Sequence, residues 1–184
     1  MVDMSSFRNP TEALEYAIGL YRNGDRTGAE EIYRSLLKHP DVGSRAVYLL
    51  GVSFLDQEQF EDAARCFSES ITREPSFHSA QRMWGITLMK MGHFSEGATL
   101  LQRIIQFSPD DASLYEQVAT GFMQGEENEK AILFLEVLRE LEPESAYYAF
   151  LKGLAHHKAG QYNSAIREYL QSIMRDDSDP VVFN

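Results

Sequence analysis

The side chains that could do chemistry are few and poorly spaced for it. His156 and His157 are the only adjacent histidines. Neighbours on a helix point about 100° apart, which makes the pair a poor metal site. One is expected to pack and the other to face a groove. Cys66 is the only cysteine, so an internal disulfide and a cysteine-rich zinc site are both excluded. It stands beside large apolar residues and reads as a small core side chain rather than a nucleophile. Carboxylates abound, but on helix surfaces with no enclosing pocket in prospect, so they make no acid–base pair. No glycine-rich phosphate loop, serine nucleophile elbow or metalloprotease helix is present in the sequence. The expectation is no enzyme, no catalytic residue, no metal and no cofactor.

What the sequence does hold is a periodic device. AVYLLGVSFL reads as helix, yet Gly51 sits in its middle, where glycine costs about 1 kcal/mol relative to alanine. Gly85, Ala119 and Gly153 follow at steps of 34 residues, as do Pro75, Pro109 and Pro143. Twelve residues after each small residue comes another: Ala63, Gly97, Ala131 and Ala165, with Ala17 and Ala29 as an earlier copy. Four further on stands a large one: Tyr33, Phe67, Leu101, Leu135 or Tyr169. A small residue at fixed period implies that something approaches closely once per repeat.

This pattern resembles the tetratricopeptide repeat, a 34-residue helix–turn–helix unit. The resemblance covers residues 10–179 in five copies, the best being LGVSFLDQEQFEDAARCFSESITREP. It implies an all-α fold, a right-handed α–α superhelix of five repeats at 10–43, 44–77, 78–111, 112–145 and 146–179. Residues 1–9 would be a lead, and 180–184 a tail or the start of a truncated sixth repeat. Departures fall at the ends: Pro40 comes one residue early, Asp177 replaces the last proline, and Lys152 and His156 stand where apolar residues are usual. The end repeats are therefore expected to be irregular.

Helices are predicted at 10–22, 26–38, 44–56, 59–73, 78–90, 93–107, 112–124, 128–141, 145–158 and 161–175. Asn9-Pro10-Thr11-Glu12 reads as an N-cap, a proline at the first helical position and the acid of a capping box. Ser44, Ser76 and Asp111 are further candidate caps. Gly24, Gly92 and Gly160 mark turns between paired helices.

In the family, the first helix of each pair lines a concave groove that takes extended peptides or partner helices. Carried over by position, that face is Leu14, Ile18, Tyr48, Val52, Leu55, Arg82, Ile86, Met89, Glu116, Thr120, Met123, Phe150, Leu154 and His157. It is mostly apolar, and flexible methionine suits an apolar helix or strand. The competing reading is that these side chains pack between neighbouring repeats. The basic clamp by which some members hold chaperone C-termini is absent: Leu14, Ile18 and Leu49 stand at its positions.

A second surface lies at the C-terminal end. Ile166, Leu170, Ile173 and Met174 form an apolar face, although the residues matching Leu170 and Met174 are polar in all four earlier copies. Terminal repeats normally carry a polar cap. Three readings stay open: PVVFN covers the face with Val181, Val182 and Phe183, the face forms a homodimer or binds a partner, or a further repeat begins near Pro180.

The formal net charge is −11, which argues against phosphate-backbone binding and hence against nucleic-acid partners. Residues 112–145 hold eight acids against Lys130 and Arg139, whereas 78–111 and 146–179 each sum to zero. That stretch is either a solvated face or a docking site for a basic segment. No apolar run is long enough to span a membrane, and MVDMSSFRNP lacks the apolar core of a secretory signal. A cytoplasmic location is expected, with no membrane insertion. The functional expectation is a protein-interaction scaffold or adaptor with a peptide or helix in its groove. Alternatives are a secretion or assembly chaperone for an apolar client, a recognition module of a larger enzyme such as a glycosyltransferase or sulfotransferase, and a self-assembling scaffold.

Overall fold

The computed structural model describes residues 7–175 and contains ten α-helices among them. They are α1 (Pro10–Arg22), α2 (Arg26–Leu36), α3 (Gly43–Asp56), α4 (Phe60–Arg73), α5 (His78–Lys90), α6 (Phe94–Ile104), α7 (Ala112–Gln124), α8 (Asn128–Leu141), α9 (Ala146–Lys158) and α10 (Tyr162–Arg175). No strand occurs among the described residues. Contacts divide the chain into two compact units, the first ending at Thr87 and the second starting at Leu88, so the division falls inside α5. Within the first unit α1 packs on α2, α2 on α3 and α3 on α4; within the second, each helix from α6 to α10 packs on the next.

The periodic small residues do what their spacing implies. A Cβ on Gly51 of α3 would lie 2.9 Å from the Phe67 ring and 3.0 Å from Cys66 Cβ on α4. A Cβ on Gly153 of α9 would lie 2.6 Å from the Tyr169 ring on α10. In these two pairs the large residue therefore fills the space that the small one leaves. Burying such a side chain contributes roughly 1.5–3 kcal/mol, which outweighs the lost helix propensity. Gly121 makes a further close approach, its Cβ position lying 2.9 Å from Ala98 of α6. The core of the first pair gathers Ala13, Leu14, Ala17, Ala29, Ile32, Tyr33 and Leu36, and reaches Val42, Ala46 and Leu50 at the entry to and on α3.

The ends of the helices follow local rules. Asn9 caps α1 through Glu12 N–H, 2.8 Å away, while the Glu12 carboxylate accepts from Arg8 N–H at 2.7 Å, one residue ahead of the cap. Asp111 and Ser145 accept from the N–H groups of Leu114 and Tyr148. Ser44 is not a cap. Helix α3 begins at Gly43 without a side-chain cap, and the Ser44 hydroxyl donates to Glu74 at 2.8 Å instead. Gly43 is needed there because a Cβ would meet the Leu37 carbonyl oxygen at 2.7 Å. Helix α2 stops at Leu36, two residues short of the expectation, and α6 at Ile104, with a 3-10 turn over Ile105–Phe107.

Turns between paired helices share one left-handed residue. Gly24, Gly92 and Gly160 have φ of 90°, 87° and 74°, and Glu58 and Glu126 occupy the same position at 59° and 62°. The backbone requirement thus recurs in all five pairs, but glycine meets it in only three.

Candidate protein-interaction surfaces

The first-helix face divides by depth. Leu14, Leu55 and Met123 are buried, which corrects their assignment to an open groove. Leu14 belongs to the core of the α1/α2 pair, and Leu55 centres a cluster with Ala63 and Phe67. Spacing along a helix gives direction but not depth, and the second helix covers part of this face. Ile18, Tyr48, Val52, Arg82 and Ile86 in the first unit are half-buried, as are Met89, Glu116, Thr120, Phe150 and Leu154 in the second. Tyr48 stacks in tilted fashion on Phe67 and Phe77, at 5.8 and 4.9 Å between centroids. Phe150 sits 5.8 Å from the Tyr169 ring. His157 is exposed, with its ring edge against Tyr162.

Glu116 is already engaged. Its Oε1 accepts from the Tyr147 hydroxyl at 3.0 Å and its Oε2 from the Tyr148 hydroxyl at 3.3 Å. Burial, reinforced by this carboxylate, pushes the Tyr148 phenol up to about 12 and raises Tyr147 as well. Two phenols on one carboxylate tie α7 to α9. Two other acids of the 112–145 stretch also have partners: Glu127 pairs with Lys130, and Glu136 with Lys152 at 3.2 Å.

The C-terminal pair carries an arrangement that local sequence patterns announce only by putting Lys152 where an apolar residue is usual. Lys152, on α9, is buried. Its Nζ lies 3.3 Å from Glu168 on α10 and 3.2 Å from Glu136 on α8. Arg139 of α8 donates to both oxygens of Glu168, at 2.9 and 3.2 Å. Two cations and two carboxylates thus interlock three helices, the condition under which a buried ion is tolerated. On the opposite side of α10, Ile166, Leu170, Ile173 and Met174 are exposed, joined by Tyr162. The Val181–Phe183 lid lies outside the described residues.

Burial pushes the Cys66 thiol up to about 11, helped by Glu69 and Asp62, so its nucleophilic thiolate is suppressed. His156 shares a 2.7 Å hydrogen bond with Gln161. No group of three potential ligands among the described residues could hold a metal ion, and no helix there is long and apolar enough to cross a membrane. Two open clefts of about 520 and 550 Å³ flank the 37–42 loop. The first mixes Arg73 and Lys38 with Asp41 and Glu74, and gives no field of one sign.

Comparison with known proteins agrees with this picture. The family model described as tetratricopeptide repeat matches residues 14–76, 48–112 and 117–180. No curated protein matches the chain in sequence. Among solved structures, a MamA chain beginning at its residue 41, from Desulfovibrio magneticus RS-1, superposes with a TM-score of 0.79 at 17% identity, covering 94% of this chain and 99% of that one. Another crystal structure of MamA gives 0.80 at 19% identity, covering 91% and 92%. YrrB, described as a TPR protein with an unusual peptide-binding site, gives 0.83 at 16% identity, covering 95% of this chain and 89% of its own. At these identities the likeness is one of fold.

Proposed function

From the premise that the chain belongs to the tetratricopeptide-repeat family, we propose that it is a protein-interaction adaptor whose first helices receive an extended peptide or an amphipathic helix. The observation that carries this reading is the set of half-buried apolar side chains at matching positions: Ile18, Tyr48, Val52 and Ile86 in the first unit, Met89, Phe150 and Leu154 in the second. Tyr48 and Phe150 are held by rings of their own helix pairs and Met89 lies against Gly121 of α7, yet each keeps surface for a ligand. Such anchors, fixed before binding, lose little side-chain entropy when a partner docks. Arg82 and His157 would select the polar groups of that partner. Glu116 is a weaker contributor, since Tyr147 and Tyr148 occupy its oxygens. The peptide-binding site ascribed to YrrB supports the class of ligand without transferring its residues. The reading includes a non-enzymatic role and a cytoplasmic location, supported by the single cysteine.

The test is selection of peptides from a displayed library on the intact chain, followed by affinity measurements on the Tyr48→Ala/Met89→Ala/Phe150→Ala variant. A loss of tenfold or more with the helical circular dichroism preserved is expected, roughly 1.4 kcal/mol of binding. Equal affinity would remove these positions from the site.

A further inference from the structure

We propose that the apolar stripe of α10 is a homodimer interface, in which two copies of this chain pack their α10 helices antiparallel and cross at Leu170. The stripe consists of Tyr162, Ile166, Leu170, Ile173 and Met174, each between 49% and 82% exposed. Their spacing by threes and fours places them on one side of the helix.

The matching positions of α8 are Asn128, Ile132, Glu136, Arg139 and Glu140. There Glu136 and Arg139 reach the following helices through Lys152 and Glu168. Helix α10 has hydrocarbon where α8 has charge, so its occupant must present hydrocarbon too. A second α10 does so. Ile166 and Met174 are each four residues from Leu170, so in an antiparallel pair crossing there, Ile166 of each copy meets Met174 of the other. The same patch is then used twice, as a closed two-fold interface requires. No ionised side chain lies within the stripe, so pairing it with itself opposes no like charges.

The area fits as well. These exposures amount to about three fully open large side chains, roughly 600 Å² per copy, so a pair would bury about 1,200 Å², the lower end of stable interfaces. Head-to-tail stacking is a worse match, because the exposed residues of α1 include Glu15 and Arg22. This interface stands apart from the first-helix groove, and its test alters no groove residue.

Sedimentation equilibrium of the intact chain across the micromolar range is expected to show a reversible dimer. Leu170→Glu with Met174→Glu installs the residues found at these positions in α8, and should raise the dissociation constant about 30-fold or more without changing the circular dichroism. In a Cys66→Ser background, Leu170→Cys should oxidise to a covalent dimer, whereas Glu140→Cys should not. A chain that stays monomeric throughout overturns the proposal, as does a dimer that both variants leave unchanged. A monomer that dimerises only after Phe183→Asp would make the C-terminal residues the occupant of the stripe, and equally overturns it.

Discussion

The α3/α4 and α9/α10 pairs share a frame and fill it in opposite ways. In each, a glycine on the first helix faces a ring on the second: Gly51 against Phe67, Gly153 against Tyr169. In each, a buried serine on the second helix donates to the first residue or so of its partner: Ser70 to the Ser44 carbonyl at 2.9 Å, and Ser172 to the Ala146 carbonyl at 2.8 Å. Where the first pair has Leu50 and Cys66, the last has Lys152 and Glu168. Where α4 has half-buried Ala64 and Ser68 and exposed Thr72, α10 exposes Ile166, Leu170 and Met174. The last pair buries charge and exposes hydrocarbon. The helix crossing is therefore set by the small–large contact and the serine bond, while the flanking positions are free to be apolar or ionic.

The largest effect should come from the rings. Phe67 is fully buried, and Phe67→Ala should cost about 3–5 kcal/mol in urea unfolding. Tyr169 is only half-buried, so Tyr169→Ala should cost distinctly less. Equal costs would mean that the two crossings are held by something other than ring burial.

The ionic filling comes next. Glu168→Gln leaves the Glu136 carboxylate beside buried Lys152 and turns one of the two oxygens that accept from Arg139 into an amide donor. The expected loss is about 2–4 kcal/mol, at or below the range for a broken buried pair because Arg139 and Glu136 keep contact with solvent. The double variant Lys152→Leu/Glu168→Cys copies the α3/α4 filling. It should recover most of that loss in thermal unfolding, since apolar replacement of a whole buried pair is often neutral. If the double variant is worse than Glu168→Gln, the frame is not indifferent to its filling.

Much of this was legible in the residues, and the limits are physical. The 34-residue steps pointed to the close approaches found at Gly51 and Gly153, because a side chain missing at fixed period signals a backbone that must be approached closely. Asn9 and Asp111 were readable as caps because capping depends on residues three apart. Depth was not readable. Leu14 and Ile18 lie on the same face of α1, yet only Leu14 is buried, because burial depends on what the second helix covers. The Lys152–Glu168–Arg139 interlock was also hidden, since its members come from three helices and no local rule pairs them. Leu170 and Met174 of the exposed α10 stripe were visible because the matching residues of four earlier copies are polar.

A smaller effect should separate the two glycines. At Gly51 the added methyl of alanine would press on a ring with no exit, so Gly51→Ala should lose about 1–2 kcal/mol net of the helix-propensity gain. At Gly153 the clash is closer, at 2.6 Å, but Tyr169 can swing toward solvent. Gly153→Ala should therefore lose less, although its distance alone would suggest more. Hydrogen exchange of α3 and α9 amides would show which helix yields.

The smallest effect concerns the turns of the same two pairs, and it runs the other way. Glu58 and Gly160 hold the same left-handed position, at φ 59° and 74°. A side chain there is strained by about 1–2 kcal/mol, while glycine adds about 0.4–1 kcal/mol of freedom to the unfolded chain. Glu58→Gly should therefore stabilise the α3/α4 pair by roughly 0.5 kcal/mol, and Gly160→Glu should destabilise the α9/α10 pair by a similar amount. Urea unfolding of both variants measures the two signs together. Opposite signs would show that the turn is a shared requirement, met well in the last pair and with strain in the second. The same sign in both would mean that contacts of the Glu58 side chain, rather than its backbone, decide the residue at that turn.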